Sequence, residues 1–412
     1  MLNGIRSRLR PVARKFLRIL GNRGPLRGVY RTSKEYFSQS MTPGERSSDY
    51  VDIFLAESIR RPMPTTLPDS LTPEFVHLQD HLNTECFVAR VRNGRVLSDR
   101  GTVLTPDHKL LFDVSNQMSV RRDFSKVHLH QANRRNVFPP IQSIEGTVVV
   151  LAVAAGGNYF HWLTEALPRI CLLEKSGLGS LSDVDSFVIN SGPPFIAESL
   201  EILGIETGRC IAADWNTHIE ARELWVPSLP GVTLNPPAWA CEFLRERLLP
   251  HRTVSGKGRR LYIRRGQTTR RFVRNEEEIV SLLEDFGFVS IDPGAHSLKD
   301  QMGMFAEAEI VIGSHGAALA NLLWCKPGTK VLELLPHHQK GEWFWPYCYW
   351  ALSDSCGLEY HCMESIKTDS GQEKELYADQ EFSPEKIRHW LESAELGIEP
   401  SRVFGKSEDR LI

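Results

Sequence analysis

Three stretches of this chain bring together residue types that could do chemistry. In IVIGSHGAALANLLW, residues 310–324, a buried-type apolar strand delivers Gly313, Ser314, His315 and Gly316 to a turn, and a helix is expected to start at once. The unpaired N–H groups and positive dipole end of such a helix attract anions, a diphosphate above all. Glycine at 313 and 316 permits close approach, and His315 can donate to a phosphate oxygen. The turn is neither a dinucleotide fingerprint nor a Walker loop, since it contains no GxGxxG and no GKS or GKT. The same residues also suit a tight strand-to-helix turn capped by a histidine.

The second stretch is basic. Arg259, Arg260, Arg264, Arg265, Arg270, Arg271 and Arg274 fall within sixteen residues, and no acidic residue appears before Glu276. At the carboxyl end of a strand, where α/β folds bind ligands, such a strip suits a phosphorylated leaving group. Arg264, Arg265 and Arg270 or Arg271 are the expected inward-pointing members; a solvated basic loop is the alternative. The third stretch is GGNYFHWLTEALPR, residues 156–169. If helical, it places His161 and Glu165 one turn apart on one face, so the carboxylate can orient or charge the imidazole. A glycine-rich loop running into such a pair is a place for a general base, and equally for a satisfied structural ion pair.

Other signals carry less. Asp183-Val184-Asp185 matches a DxD metal–diphosphate pattern but precedes its strand, where convergent carboxylate geometry is rarely supplied. Cys348, Cys356, His361 and Cys362 lack a CxxC knuckle, and the eight scattered cysteines read as reduced buried thiols. His337-His338 reads as an exposed loop. The aromatic residues Trp343, Phe344, Trp345, Tyr347, Tyr349 and Trp350 suit a sugar platform or a core patch.

The elements that must position these residues follow from periodicity. Residues 32–84 read as an irregular lead-in. Residues 86–115 alternate apolar and polar, and Asn93-Gly94 between two such runs predicts a β-hairpin. From Gly146 the pattern is α/β. A core strand is expected over 147–153, a helix from the Gly156-Gly157-Asn158 loop to about 175 and bent at Pro168, a strand at 186–190 and a helix at 194–203. Strands at 209–212 and 224–227 and a helix at 237–249 follow. A Gly/Ser/Thr-rich break at 250–258 serves as linker. The second unit alternates strands at 260–264, 288–291, 309–312 and 330–334 with helices, one starting at an Asn275/Glu278 capping box and one spanning 298–306. The order predicts parallel sheets with helices on both faces, and two such units predict a ligand in the cleft. The expected divisions are 1–84 (basic arm and lead-in), 85–250 (acceptor-side lobe), 259–335 (nucleotide-sugar lobe) and 336–412 (returning segment).

Composition bounds the function. The 412 residues include 49 basic and 51 acidic, a net charge of −2, with 41% hydrophobic and 24% charged residues. That is globular, which excludes a disordered or fibrous chain, and the balance argues against bulk nucleic-acid binding. No window holds about 18 consecutive apolar residues, so no transmembrane helix is expected. Residues 1–31 nevertheless carry nine basic residues, from Arg6 to Arg31, and no acidic one. With Ile5, Leu9, Val12, Phe16, Leu17 and Leu20 interleaved, this arm suits an anionic membrane surface; a disordered basic tail or organelle presequence shares the pattern. No apolar h-region follows the arginines, which argues against a signal peptide.

Together the blocks NYFHWLTEALPR, LYIRR with the following RR and NEEE, and AEIVIGSHGAALANLLWCKPGTKVLELLP resemble glycosyltransferase family 61, in the same order and rough spacing, over residues 146–335. The resemblance implies a GT-B-like α/β fold: two facing Rossmann-like lobes with parallel sheets, here behind a β-rich N-terminal segment. It implies inverting, metal-independent transfer with no cofactor, from a nucleotide-diphosphate sugar to a hydroxyl of a glycan or lipid-linked acceptor. It assigns the turn Gly313, Ser314, His315, Gly316 and Ala317, with Arg264, Arg265, Arg270 and Arg271, to the diphosphate. Asn321 and Glu333 are assigned to the donor, with the ribose in reach of Glu333. Asn158, His161 and Glu165 are assigned to the acceptor side, with His161 or Glu165 as base. Eukaryotic members work behind an anchor or signal; the sequence shows neither, so the resemblance implies a bacterial-type capsular or exopolysaccharide member, cytoplasmic and peripheral at the membrane's inner face. A non-catalytic nucleotide-sugar-binding or scaffold protein would share the donor lobe and lack turnover. A nicotinamide-dependent oxidoreductase is disfavoured by the missing GxGxxG.

Overall fold

The computed structural model describes residues 25–39, 48–66, 73–115, 123–254, 256, 259–265, 271–337, 347–366 and 378–395. Most of the basic arm (1–24), Arg270, His338, Trp343, Phe344 and Trp345 lie outside them. The chain divides into two compact units, Met1–Leu55 with Glu85–Thr233, and Ala56–Thr84 with Leu234–Ile412. Mixed α/β structure with parallel sheets is found in both.

In the first unit the strands His218–Pro227, Gln142–Val150, Ser186–Asn190 and Cys210–Ala213 lie side by side in that order, all parallel. Gly146–Val150 is buried on both faces, which is why its sequence is an apolar run with no alternation. Val148, Val150, Val188, Leu224 and Val226 form its core, each burial worth roughly 1.5–3 kcal/mol. The chain extends the sheet to one side of Gln142–Val150 and then returns to the other. That strand is therefore a topological switch point, where α/β sheets bind ligands beyond the carboxyl ends.

The Asn93-Gly94 pair is not a hairpin turn. The strands Cys86–Arg92 and Arg95–Leu97 both run antiparallel to His218–Pro227 and follow one another along it. Asn93 takes φ +52 and donates its N–H to Arg222 O, while Gly94 O accepts from Ala221 N. The pair is a bulge, and the antiparallel partner sits more than a hundred residues downstream. Residues 25–31 join this unit too, with Val29–Tyr30 parallel to Leu110–Leu111.

The second unit carries a parallel sheet in the order Val289–Ile291, Arg260–Ile263, Ile310–Ser314, Lys330–Leu335, Glu359–Glu364 and Thr65–Thr66. Here the switch point lies between Arg260–Ile263 and Ile310–Ser314. Helix Glu276–Asp285 covers one face with Ile279 and Leu283, joined by Trp390 and Leu391 of helix Pro384–Glu395. Asn275 does not form the expected capping box. Its side chain instead accepts from Phe382 N and donates to Phe382 O, tying in the C-terminal segment.

The units part at 233/234 and not in the 250–258 stretch, because helix Ala238–Leu248 is bound into the second unit. Arg245 donates to the carbonyls of Leu323 and Cys325, and Ser355 Oγ to Pro236 O. Residues 56–84 join the same unit through Trp350, whose Nε1 donates to Pro62 O and whose ring meets Phe75 edge-on. Tyr349 and Trp350 are thus core residues and not a sugar platform. All eight cysteines are free thiols, seven of them buried. Among the described residues no three His, Cys, Asp or Glu are placed to hold a metal ion, and no helix is long and apolar enough to cross a membrane.

Candidate active site

At the carboxyl end of Gln142–Val150 the chain turns through Ala155, in the left-handed region at φ +61, to Gly156 and Gly157. A Cβ on Gly156 would fall 1.9 Å from Asn190 Oδ1, so only glycine fits. Asn190 is fixed there, accepting from Val153 N and donating to Val153 O and Asp99 O. Asn158 then caps the next helix, its Oδ1 accepting from Phe160 N. The side chain assigned to the acceptor is engaged in starting the helix that carries His161.

That helix, Tyr159–His161, widens at once into a π turn over Trp162–Ala166, closed by Leu167 N to Trp162 O. Pro168 ends it and starts the helix Arg169–Ser176. Isolated π turns tend to occur at functional sites because they re-aim side chains. Here His161 Nδ1 lies 3.2 Å from Glu165 Oε1, with 10% and 6% of the two side chains exposed. Burial opposes a charged His161, but the charge of the neighbouring Glu165 carboxylate outweighs it and raises the imidazole above its ordinary value. With Nδ1 toward Glu165, Nε2 is left to take a proton. Trp162, fully buried with its Nε1 donating to Ser199 Oγ, is core.

Arg169 closes the same segment. It is 1% exposed, and its guanidinium donates to Pro227 O and Ala152 O, tying the end of His218–Pro227 to the residues that follow the switch-point strand Gln142–Val150. In the sequence it looks like one more arginine at a helix start, and nothing local reveals its carbonyl partners.

The second unit's switch point holds the glycine–histidine turn. Ser314 is 5% exposed and its hydroxyl has no hydrogen-bond partner among the described residues, a buried orphan donor within the turn. Arg265 lies against Gly316, with Nη1 3.4 Å from His315 O. Burial, then the adjacent Arg271, push Arg265 down to about 10, so it remains charged at neutral pH. Its backbone N–H donates to Glu276 Oε1, which also accepts from Tyr262 OH. Arg271 sits beside it at φ +58. Two guanidiniums, a buried hydroxyl and a histidine thus come together at this turn, donor chemistry of the kind that suits an anion.

Several assigned residues support this turn without lining it. Arg264 pairs with Glu277 and stands 3.9 Å from Glu276, so its charge is partly spent. Gly313 serves strand packing, since a Cβ there would press on Ile263 at 3.1 Å. Ala317–Trp324 is a 3₁₀ helix and not an α-helix, which weakens the dipole expected of it. Asn321 is fully buried, donating to Gln301 Oε1 and Ala318 O beneath the turn. Glu333, assigned to the ribose, is 0% exposed; His315 Nδ1 and Tyr360 OH each lie 2.5 Å from its two oxygens. Tyr349 donates its OH to Gly316 O and Tyr360 to Glu333, contacts that have no signal in the sequence because the partners are distant in the chain. Asp183 and Asp185 are structural: Asp183 accepts from Ser180 N, and Asp185 from Thr147 N.

Comparison with known proteins gives a match to the family model "Glycosyltransferase 61" over residues 159–332. The chain is 29% identical to Beta-1,2-xylosyltransferase RCN11 of Oryza sativa subsp. japonica over 140 residues, 30% of this chain and 25% of that protein. It is 26% identical to Protein O-linked-mannose beta-1,4-N-acetylglucosaminyltransferase 2 of Homo sapiens and of Pan troglodytes over 121 residues, 29% of this chain and 21% of each relative. The matched stretches thus span about a quarter or less of these curated relatives.

Proposed function

Residues 159–332 form a glycosyltransferase 61 domain, and on that premise we propose that the chain moves a sugar from a nucleotide-diphosphate sugar to a hydroxyl of a glycan or lipid-linked acceptor. The observation that carries this reading is the anion cradle at the second unit's switch point: Arg265 packed on Gly316, Arg271 beside it, and the orphan Ser314 hydroxyl. Arg265, Arg271, His315 and the N–H groups of the turn stabilise the diphosphate as charge develops on it.

His161 Nε2 takes the proton of the acceptor hydroxyl, and Glu165 orients the ring and stabilises the imidazolium. The new bond forms between the acceptor oxygen and the anomeric carbon while the bond to the phosphate oxygen breaks, a single displacement that inverts the centre. A GT-B organisation, inversion and metal independence belong to this proposal through the family resemblance. Polysaccharide biosynthesis and peripheral membrane contact belong to it as well, the latter supported by nine basic residues and no acidic one in residues 1–31.

A panel of nucleotide sugars tested by thermal shift, followed by transfer and donor-hydrolysis assays on the donor that stabilises, tests the reading. Stabilisation by one nucleoside-diphosphate class, with turnover lost in His161→Ala, is the expected result. No response to any nucleoside diphosphate would overturn it.

A further inference from the structure

Glu333 is a buried carboxylate with one oxygen on His315 Nδ1 and the other on Tyr360 OH, each at 2.5 Å. Tyr360 comes from the parallel neighbour Glu359–Glu364, where it pairs with Val331 and stands two residues before Cys362, the register partner of Glu333. The groups packed around the pair are neutral. Burial first, and Glu333 second, hold the thiols of Cys348 and Cys362 and the phenol of Tyr360 well above their ordinary values, while Tyr349 is raised by burial, Cys348 and Glu333. The cationic groups near the turn are Arg265, which donates to the His315 carbonyl, and Arg271; Glu364 lies beyond Cys362. The His315 ring is held edge-on by Tyr349, with centroids 5.3 Å apart, and its side chain keeps 12% exposure.

We infer that Tyr360 and Glu333 are positioning residues that present His315 Nε2–H to the diphosphate, and that Glu333 does not itself contact the nucleotide. The inference rests on the diphosphate reading of the Gly313–Gly316 turn. A neutral imidazole with its proton on Nδ1 shows a bare lone pair at Nε2, which an anion repels. With Nδ1 held to Glu333 at 2.5 Å, Nε2 is the nitrogen left on the opposite edge of the ring, and it meets an anion favourably only as Nε2–H. Tyr360 fixes the far oxygen, so the carboxylate cannot rotate away from the ring.

The test is calorimetric titration of the full chain with inorganic pyrophosphate, in buffers of different ionisation enthalpy. Wild type should take up more protons on binding than His315→Gln or Glu333→Gln. Tyr360→Phe should weaken binding about fivefold, one hydrogen bond's worth. In the His315→Gln background the same change should do nothing, because Tyr360 acts through His315. Equal losses in both backgrounds, or none in either, would overturn the positioning role while leaving the donor site standing. Failure of wild type to bind pyrophosphate at all removes the donor reading and this inference together. Should Glu333→Gln fail to fold, the Tyr360 and His315 variants complete the cycle alone.

Discussion

The Arg265 guanidinium occupies the space where a side chain at position 316 would begin: a Cβ on Gly316 would fall 2.2 Å from Nη1. The colliding atom is the end of a flexible side chain, so Gly316→Ala should move Arg265 without unfolding the sheet. Pyrophosphate or nucleoside diphosphate affinity should drop roughly tenfold or more, as expected for displacing a charge-assisted contact. The melting temperature should stay within a few degrees. Gly313→Ala meets the Ile263 Cβ at 3.1 Å instead, and should destabilise by about 1–3 kcal/mol in urea through overpacking. Equal behaviour of the two variants would show that the cradle is not built this way.

Removing the proposed base should separate chemistry from binding. His161→Ala is expected to lower kcat by roughly 10²–10⁴ while donor affinity stays near wild type. Glu165→Gln keeps the shape of the pair but removes the charge that favours imidazolium, and should lie between the two. Single-turnover transfer with saturating donor measures this. Wild-type rates in both variants would reassign the base.

The His161–Glu165 pair also fixes the direction of a pH effect. The carboxylate holds His161 above the ordinary 6.5, and the base works only when neutral. Turnover should therefore rise with pH through an apparent pKa above that value, and Glu165→Gln should shift the rising limb to lower pH. Stability moves oppositely. A raised folded-state pKa stabilises fully below the unfolded value, and that contribution is lost as pH climbs through the folded one. Urea midpoints across pH 5.5–8.5, roughly the window where imidazole titrates, should fall for wild type relative to His161→Gln.

What could be read from the sequence follows how local each cause is. The helix Leu298–Ala306 matches its expected bounds because Ser297 caps it by accepting from Asp300 N and its stripe is continuous. The strands Arg260–Ile263, Ile310–Ser314 and Lys330–Leu335 are apolar runs bounded by turns, and they lie within a residue or two of expectation. The His161–Glu165 contact follows from four-residue spacing, and survives the π turn that spacing does not reveal. Where a partner is remote, the local reading fails. Asn93-Gly94 has the chemistry of a hairpin turn, but the strand that decides its conformation arrives at Ala221 and Arg222. Asn275 has capping chemistry, yet Phe382 claims its side chain. Glu333 lies 18 residues from His315 and 27 from Tyr360, and only the parallel register makes them one network.

The loop in front of His161 gives the last expectation. Gly156 is obligatory because Asn190 Oδ1 would sit 1.9 Å from any Cβ there, and Asn190 is held by Val153 and Asp99. Gly156→Ala must therefore break those bonds or shift the turn, costing about 1–3 kcal/mol through unsatisfied backbone groups. Because the turn leads directly into the Asn158 cap, kcat should fall as well. Asn190→Ala alone loses the same hydrogen bonds. If the clash is the cause, Gly156→Ala added to Asn190→Ala costs little more, a coupling of about 1 kcal/mol or above in a double-mutant cycle. Strict additivity of the two changes, measured by urea denaturation, would place the need for glycine elsewhere, in the left-handed turn at Ala155 that precedes it.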